Sequence, residues 1–243
     1  MTADEDNEWL QWVKLSSVPL KQLGHDDIPI GMASGCFVTY QGRKFILTAS
    51  HAVKLNSSGW VIELGPDNRR GTEFYRVARF YYLSGINRES GQIVEVDFTF
   101  AEIPADLEST FYLLTPFGAM SARQSRHVFD LEAVRNPDIG ERYAFTGEIK
   151  PSTGSSGLVT QPVIYPGLRY VENTGSYHRF ILPVPHPGHD DFRGCSGASI
   201  VDTKRNLVGL VSGGIIDSNS ILGIALSGCK WAVDFYCKDI RPA

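Results

Sequence analysis

The sequence lacks any run long and apolar enough to cross a membrane. A membrane-spanning helix needs roughly 20 apolar residues, and no stretch approaches that length. The N-terminal run Met1–Glu8 is acidic and has no apolar core, unlike a secretory signal. From these absences we expect a soluble, cytoplasmic protein that does not bind membranes.

Blocks of positive charge are also missing. The formal net charge is −4, and no cluster of lysine and arginine stands out. Such clusters attract the phosphates of nucleic acids and anionic lipids. We therefore expect neither nucleic acid nor an anionic membrane as the main partner.

Cysteine is scarce, with four in 243 residues. Secreted proteins often carry a framework of disulfides, whereas intracellular proteins keep their thiols reduced. Cys229 and Cys237 are eight residues apart, on one expected helix, where they could not bridge without distortion. We expect free thiols, in agreement with a cytoplasmic location.

Long helical periodicity is scarce too, whereas glycine (24) and proline (13) are plentiful. This pattern favours many short strands joined by turns, and an all-β chain of roughly 200 to 250 residues can count as one domain. Two stretches differ. Residues 8–15 predict a short amphipathic helix or a strand that packs on the body, and residues 228–240 have the apolar spacing of a helix.

One serine stands in a loop suited to catalysis. Gly194 and Gly197 flank Cys195 and Ser196, and glycine allows the tight turns that present a side chain outward. Such a loop can aim the amides of Gly194 and Ser196 at one point, as the developing oxyanion of a hydrolytic transition state requires. Ser196 is therefore a candidate nucleophile.

A neutral hydroxyl is a weak nucleophile at pH 7, so Ser196 needs a base, and the base needs an orienting acceptor. The apolar run Phe45–Val53 ends in small residues and delivers His51. The run Val94–Phe100 alternates, with Asp97 on the face opposite its apolar side chains. His51 and Asp97 are the candidate base and acceptor.

In their order and spacing the three motifs resemble those of trypsin-like serine peptidases of the chymotrypsin fold. Those read Thr-Ala-x-His, then Asp before an apolar strand, then Gly-x-Ser-Gly. Here 46 residues separate His51 from Asp97, and 99 separate Asp97 from Ser196. The resemblance covers roughly residues 30–240. It implies an all-β fold of two six-stranded antiparallel barrels with a C-terminal helix, similar to bacterial intracellular members.

The resemblance also divides the chain. Residues 1–29 would form an N-terminal segment, 30–115 the first barrel with His51 and Asp97, and 116–135 a linker. Residues 136–228 would form the second barrel with Ser196, and 229–243 the C-terminal helix.

The family likeness implies a serine endopeptidase that needs no cofactor and no metal. His51 would take the proton of Ser196, Asp97 would hold His51 in the correct tautomer, and the amides of Gly194 and Ser196 would form the oxyanion hole. His186 and His189 do not match a zinc-binding spacing.

Substrate-binding residues follow from the same likeness. The strand Gly209–Gly214 resembles the one that pairs with substrate, which implies roles for Ser212 and Gly214, with Gly223 as a second pocket wall. Asp190, six residues before Ser196, corresponds to the pocket floor that selects lysine or arginine. Cleavage after a basic residue is the preferred expectation; Asp190 as a solvated loop acid is the alternative.

The chain departs from the secreted enzymes at the activation site. They have an aspartate before the nucleophile, which pairs with a freed N-terminal amine, whereas this chain has Cys195 and no Ile-Val-Gly-Gly start. The oxyanion loop is then either preformed or ordered by a partner. Cys195 is expected to be an inert buried side chain, with a redox brake as the alternative. We expect a protein or peptide substrate, in particular a dedicated intracellular protein.

Two other functions stay open. A catalytically inactive relative would bind extended peptides by strand addition. An α/β-hydrolase would need Gly-x-Ser-x-Gly and a different order of residues, which this sequence does not have.

Overall fold

The computed structural model describes residues 2–54, 59–66, 72–86, 90–114, 120–154 and 157–239. Within these ranges it has sixteen strands and four α-helices. The strands are β1 (Val18–Leu23), β2 (Pro29–Tyr40), β3 (Arg43–Thr48), β4 (Trp60–Pro66), β5 (Thr72–Arg76), β6 (Tyr81–Ile86), β7 (Ile93–Ile103), β8 (Thr110–Leu114), β9 (Met120–Ser125), β10 (Val128–Asp130), β11 (Arg142–Gly154), β12 (Gly157–Thr174), β13 (Tyr177–Ile181), β14 (Ser199–Asp202), β15 (Leu207–Ile215) and β16 (Ser220–Ile224). The helices are α1 (Ala3–Val13), α2 (Ser50–Val53), α3 (His189–Phe192) and α4 (Lys230–Asp239).

The strands form two main bodies, which confirms the predicted all-β double-barrel fold with a C-terminal helix. The second body is a closed barrel in the order β11-β12-β13-β16-β15-β14. The first is a barrel-like sheet in the order β5-β4-β1-β2-β3-β7-β6, with β10 paired to β2. No helix in the described ranges is long and apolar enough to span a membrane.

The first sheet has eight strands instead of the expected six, because β2 is long. β1 pairs with its first half, and β10 pairs in parallel with its second half on the same edge. β1 falls within residues 1–29, and β9 and β10 fall within residues 116–135. The predicted division of the chain into segments stays a prediction.

Strand alternation distributes side chains between separate cores. Cys36 and Val38 of β2 pack into a core shared by both bodies and the terminal helices, while Phe37 faces the interior of the first sheet. In β14, Val201 faces the shared core and Ile200 the interior of the second barrel. Because of this two-residue period, each of these strands contributes side chains both to the interior of its own body and to the apolar core shared by the two bodies.

The terminal helices cover the shared core. Thr2 and Glu5 form a capping box at the start of α1, which satisfies free backbone amides there. Trp9 is buried in the shared core, and its indole N–H donates to the carbonyl of Asp202 at 2.8 Å. Among the apolar side chains of α4, Val233 and Tyr236 are buried, whereas Trp231 and Phe235 are exposed; Ile240, at the end of the stretch predicted to be helical, lies outside the described residues.

Candidate active site

His51 stands at the start of a short helix that follows β3. β3 ends in the buried residue Thr48, and α2 begins at Ser50, so the chain turns out of the sheet just before His51. The imidazole is about half exposed, at 52%. Its Nδ1 lies 2.9 Å from each carboxylate oxygen of Asp97, and its Nε2 lies 2.9 Å from the Oγ of Ser196. The ring therefore connects the two.

Asp97 accepts hydrogen bonds from several directions. Besides the His51 ring, the His51 backbone N–H donates at 3.0 Å, Ser50 Oγ at 3.1 Å and Ser212 Oγ at 2.5 Å. The carboxylate is 13% exposed. Burial alone raises the pKa of Asp97, but the hydrogen bonds from His51 and Ser212 outweigh it, so the pKa lies below its ordinary value. The group is fixed as an anion at neutral pH.

Ser196 lies in a loop whose backbone conformation requires glycine at positions 194 and 197. Gly194 has φ of 104° and Gly197 has φ of 87°, values that residues with a Cβ rarely adopt. A Cβ added at Gly197 would lie 2.0 Å from the Ser34 carbonyl oxygen and 2.1 Å from Thr48 Oγ1. The close approach explains the small residue after the serine.

The backbone amides of this loop differ in whether they donate a hydrogen bond within the described structure. Cys195 N–H donates to Phe192 O at 2.9 Å, and Gly197 N–H donates to Val211 O at 2.7 Å. Among the described residues, the amides of Gly194 and Ser196 have no acceptor. These two donors are free to bind an oxygen atom from outside the chain.

Ser34 of β2, which the sequence did not point to, fastens the same loop. Its Oγ donates to the Gly194 carbonyl at 2.7 Å, its N–H donates to the Ser196 carbonyl at 2.9 Å, and its own carbonyl accepts from Thr48 Oγ1 at 2.6 Å. Ser34 is buried. The first sheet thus holds the nucleophile loop of the second barrel, and no local pattern around residue 34 signals a contact 160 residues away.

The N-terminal segment reaches the far end of the loop through three buried serines. Ser199 Oγ lies 2.8 Å from Ser16 Oγ and 3.0 Å from Ser17 Oγ, and its N–H donates to Ser17 Oγ at 3.1 Å. Ser199 thereby ties the start of β14 to the segment that follows α1.

Cys195, the residue before Ser196, is fully buried. A Cβ added at Gly147 would lie 2.8 Å from its Sγ. Burial raises the pKa of the Cys195 thiol, with a smaller contribution from Glu148. The four cysteines are free, and Cys195 is a protonated side chain without access to solvent, which favours the inert role over a redox brake.

A cavity of about 400 Å³ lies beside Ser196. It is lined by His51, His189, Phe192, Arg193, Ser196, Val211, Ser212, Gly213 and Gly214. The structure therefore brings Ser212 and Gly214 close to Ser196, and their role in substrate binding stays a prediction.

Of the two other expected substrate-binding residues, Gly223 does not line this cavity, and the side chain of Asp190 is not described. Gly223 pairs with Val211, and a Cβ added to it would lie 2.6 Å from Ile200 Cδ1, so it packs against the interior of the second barrel. Asp190 belongs to α3, but its side chain lies outside the described part of the structure. Its position at a pocket floor stays a prediction.

The sequence matches no protein-family model and no curated protein. Solved structures do match over nearly the whole chain. Human heparin binding protein superimposes with a TM-score of 0.59 at 11% identity, covering 95% of this chain and 94% of that one. The Rv3671c protease of M. tuberculosis in its active form has a TM-score of 0.55 at 14% identity, with coverage of 100% and 89%.

A third match is the serine endoprotease of Yersinia pestis, with a TM-score of 0.53 at 13% identity. That alignment covers 96% of this chain and 66% of the endoprotease. These likenesses confirm the predicted trypsin-like fold, and at such identities they establish the fold alone. Two of the three proteins are named for proteolysis and one for binding.

Proposed function

With the chymotrypsin fold as premise, we propose that this protein is a serine endopeptidase that uses Ser196, His51 and Asp97 as a catalytic triad. The observation that carries the proposal is the continuous relay of 2.9 Å contacts from Asp97 through His51 to Ser196 Oγ. Hydroxyl, base and orienting carboxylate are in the geometry that nucleophilic catalysis requires.

The chemistry follows from these positions. Ser196 Oγ attacks the carbonyl carbon of the scissile peptide bond while His51 Nε2 accepts its proton. Asp97 holds the Nδ1–H and stabilises the imidazolium. His51 then protonates the leaving amine, the C–N bond breaks, and an acyl-enzyme forms on Ser196. Water, activated by His51, hydrolyses the ester and restores Ser196.

The oxyanion of both tetrahedral intermediates would bind to the amides of Gly194 and Ser196. Their lack of acceptors among the described residues supports this role. The contacts of Ser34 with the carbonyls of Gly194 and Ser196 support a loop that is formed before substrate arrives. Activation by a freed N-terminal amine would then be unnecessary.

The substrate is proposed to be a protein or peptide, and a dedicated intracellular protein is the preferred partner. The expectation of cleavage after lysine or arginine rests on Asp190 and stays a prediction. An inert Ser196→Ala variant used as bait in cytoplasmic extract should capture the substrate, followed by cleavage of the captured protein by the active enzyme. Captured proteins that the active enzyme leaves intact would count against a dedicated substrate.

An inactive module that binds extended peptides is the second candidate. Gly213 and Gly214 line the cavity beside Ser196, and a glycine edge allows another backbone to approach closely. In this case peptide binding would be the same in the native protein and in Ser196→Ala, and neither would hydrolyse the peptide.

A fluorophosphonate probe tests the proposed function directly. We expect a single adduct on Ser196, located by mass spectrometry, because only an activated serine reacts rapidly. The adduct should disappear in His51→Ala. Failure of the native protein to react would contradict a preformed triad and favour the binding module.

A further inference from the structure

The cavity beside Ser196 is lined by basic side chains. Besides His51 they are those of Arg193 and His189, and none of the described residues that line it is acidic. Both side chains are exposed. The whole chain has a formal net charge of −4, so the lining of this cavity is opposite in sign to the net charge of the protein. A cleft lined by one sign of charge attracts ligands of the other sign.

Arg193 has no counter-ion among the described residues. It forms neither an ion pair nor a side-chain hydrogen bond with them. Arginines elsewhere in the described structure do pair with carboxylates, namely Arg43, Arg76, Arg142, Arg179 and Arg205. The guanidinium of Arg193 is therefore available to an anion from outside the chain, and it can bind a carboxylate through two parallel N–H groups.

The residue before Arg193 is anchored by aromatic contacts. Phe192 is buried, and its ring contacts those of Tyr165 and His186, with centroids 4.7 Å and 4.6 Å away. His186 lies between β13 and α3, and its Nδ1 accepts the N–H of Gly188 at 3.0 Å. Arg193 therefore extends from a fixed position in the wall of the cavity.

The part of the wall that comes from β15 is neutral. Ser212 Oγ already donates to Asp97, and Gly213 and Gly214 have no side chains. No atom lies within 4 Å of a Cβ added at Gly213. Outside the proposed triad, the side-chain donors that the described part of the cavity offers to a substrate are therefore those of Arg193 and His189.

From this distribution of charge we propose that Arg193 selects substrates with an acidic residue, glutamate or aspartate, on the amino side of the cleaved bond. The inference rests on the proposed peptidase function and names the substrate class of the same site. An acyl group on Ser196 places its own side chain in the adjoining cavity, whose volume of about 400 Å³ is that of a site for a small ligand. A carboxylate there would meet the guanidinium of Arg193, whereas lysine or arginine would meet a like charge.

This preference is the opposite of cleavage after a basic residue. The basic preference depends on Asp190, whose side chain lies outside the described structure, whereas Arg193 is described and lines the cavity. The two expectations predict opposite orders of reactivity for glutamate and lysine, so one measurement decides between them.

Peptide phosphonates provide this measurement, because they form one covalent bond with an activated serine and need no turnover. The probes differ only in the side chain that enters the cavity. Glutamate is compared with glutamine, and aspartate with asparagine, so that charge changes while shape hardly does; lysine is the fifth probe. In the native protein each acid should modify Ser196 at least about tenfold faster than its amide, since a hydrogen bond between charged groups is worth that factor.

Three variants test whether Arg193 carries the preference. Arg193→Gln keeps a polar side chain and should bring the rates of acid and amide within about threefold of each other. Arg193→Glu should make the lysine probe faster than the glutamate probe. Arg135→Glu is the matched control and should keep the native order, because it makes the same change of net charge at an exposed residue that does not line the cavity.

Circular dichroism checks that the variants fold, and the fluorophosphonate probe checks the triad separately. If the fluorophosphonate modifies Ser196 but neither acid reacts faster than its amide, or lysine reacts fastest, the inference is overturned and the proposed function stands. An unchanged ratio of acid to amide in a folded Arg193→Gln also overturns it. Absence of fluorophosphonate labelling contradicts the proposed function, and this inference with it.

Discussion

Two regions of the molecule are built differently: the proposed catalytic end, around His51, Asp97 and Ser196, and the loop between β13 and α3 that carries His186. At the catalytic end both ring nitrogens of His51 and both carboxylate oxygens of Asp97 have partners. His186 is held by stacking and one hydrogen bond, and its Nε2 is buried without a partner among the described residues. Catalysis would require fixed donors and acceptors because small displacements lose rate, whereas packing requires only a filled volume.

The largest expected effect comes from breaking the polar relay. Asp97→Asn should lower kcat about ten-thousand-fold, because the amide no longer stabilises the required tautomer and imidazolium of His51. Steady-state hydrolysis of a cleavable peptide measures the loss. Ser212→Ala, which removes one of the donors to Asp97, is the matched control and should lose about tenfold at most. Equal losses in the two variants would contradict a special role for the carboxylate.

The next effect is on stability, and it compares a glycine of the loop that carries Ser196 with a glycine of β15. Gly197→Ala should lower the free energy of unfolding by about 2 kcal/mol or more, since it combines a positive φ with a close contact to Ser34 O. Gly213→Ala is the control, because no atom lies within 4 Å of the added Cβ and its φ is not in the left-handed region. Urea unfolding measures both. Similar stability losses would show that the nucleophile loop is not tightly packed.

The difference between local sequence patterns and contacts between distant parts of the chain explains which residues could be predicted from the sequence. His51, Asp97 and Ser196 stand in local patterns, each with a signature of neighbouring small or apolar residues, so the sequence pointed to them as candidates and to the fold that brings such motifs together. Cys195 before the serine and the apolar spacing of α4 were also interpretable locally.

Ser34 and His186 were not predicted, because their roles depend on what lies opposite them in space. Ser34 meets Gly194 across 160 residues of sequence, and nothing near residue 34 indicates it. The resemblance implied a substrate-binding role for Gly214, which has no side chain. In the structure the space beside Gly214 is occupied by His186, a residue from another loop. A missing side chain predicts a gap but not what occupies it.

Ser34→Ala tests how far the catalytic end depends on support from the first sheet. The variant leaves the Gly194 carbonyl without its donor, so we expect kcat to fall about tenfold, equivalent to about 1.4 kcal/mol, with KM little changed. Ser34→Thr keeps a hydroxyl and should recover part of the rate. Ser16→Ala, which removes a buried hydroxyl that contacts Ser199, is the control and should leave kcat within about threefold of the native value.

That division between kcat and KM separates positioning from general stability. A merely structural role for Ser34 would lower the melting temperature and leave kcat of the folded protein unchanged. An increase in KM alone would assign Ser34 to substrate binding. It would weaken the contrast between the hydrogen-bonded catalytic end and the region around His186.

The smallest effect concerns a buried histidine of the second barrel. His178 of β13 is 1% exposed, packs on the rings of Tyr170 and Phe180, and has no partner for either nitrogen among the described residues. Burial lowers the pKa of His178 below its usual 6.5. As pH falls below about 6.5 the unfolded chain binds a proton that the folded chain excludes, so stability decreases, by at most about 1.4 kcal/mol per pH unit for one group.

His178→Phe should therefore make the free energy of unfolding less dependent on pH between 7.5 and 5.5, as measured by urea unfolding at each pH. Part of the slope should remain, because burial also lowers the pKa of His127 and His186. An unchanged slope in a variant that folds would mean that the buried ring is protonated without penalty. In that case the second barrel would tolerate charge as well as the catalytic end does, and the contrast between paired and unpaired histidines would lose its energetic basis.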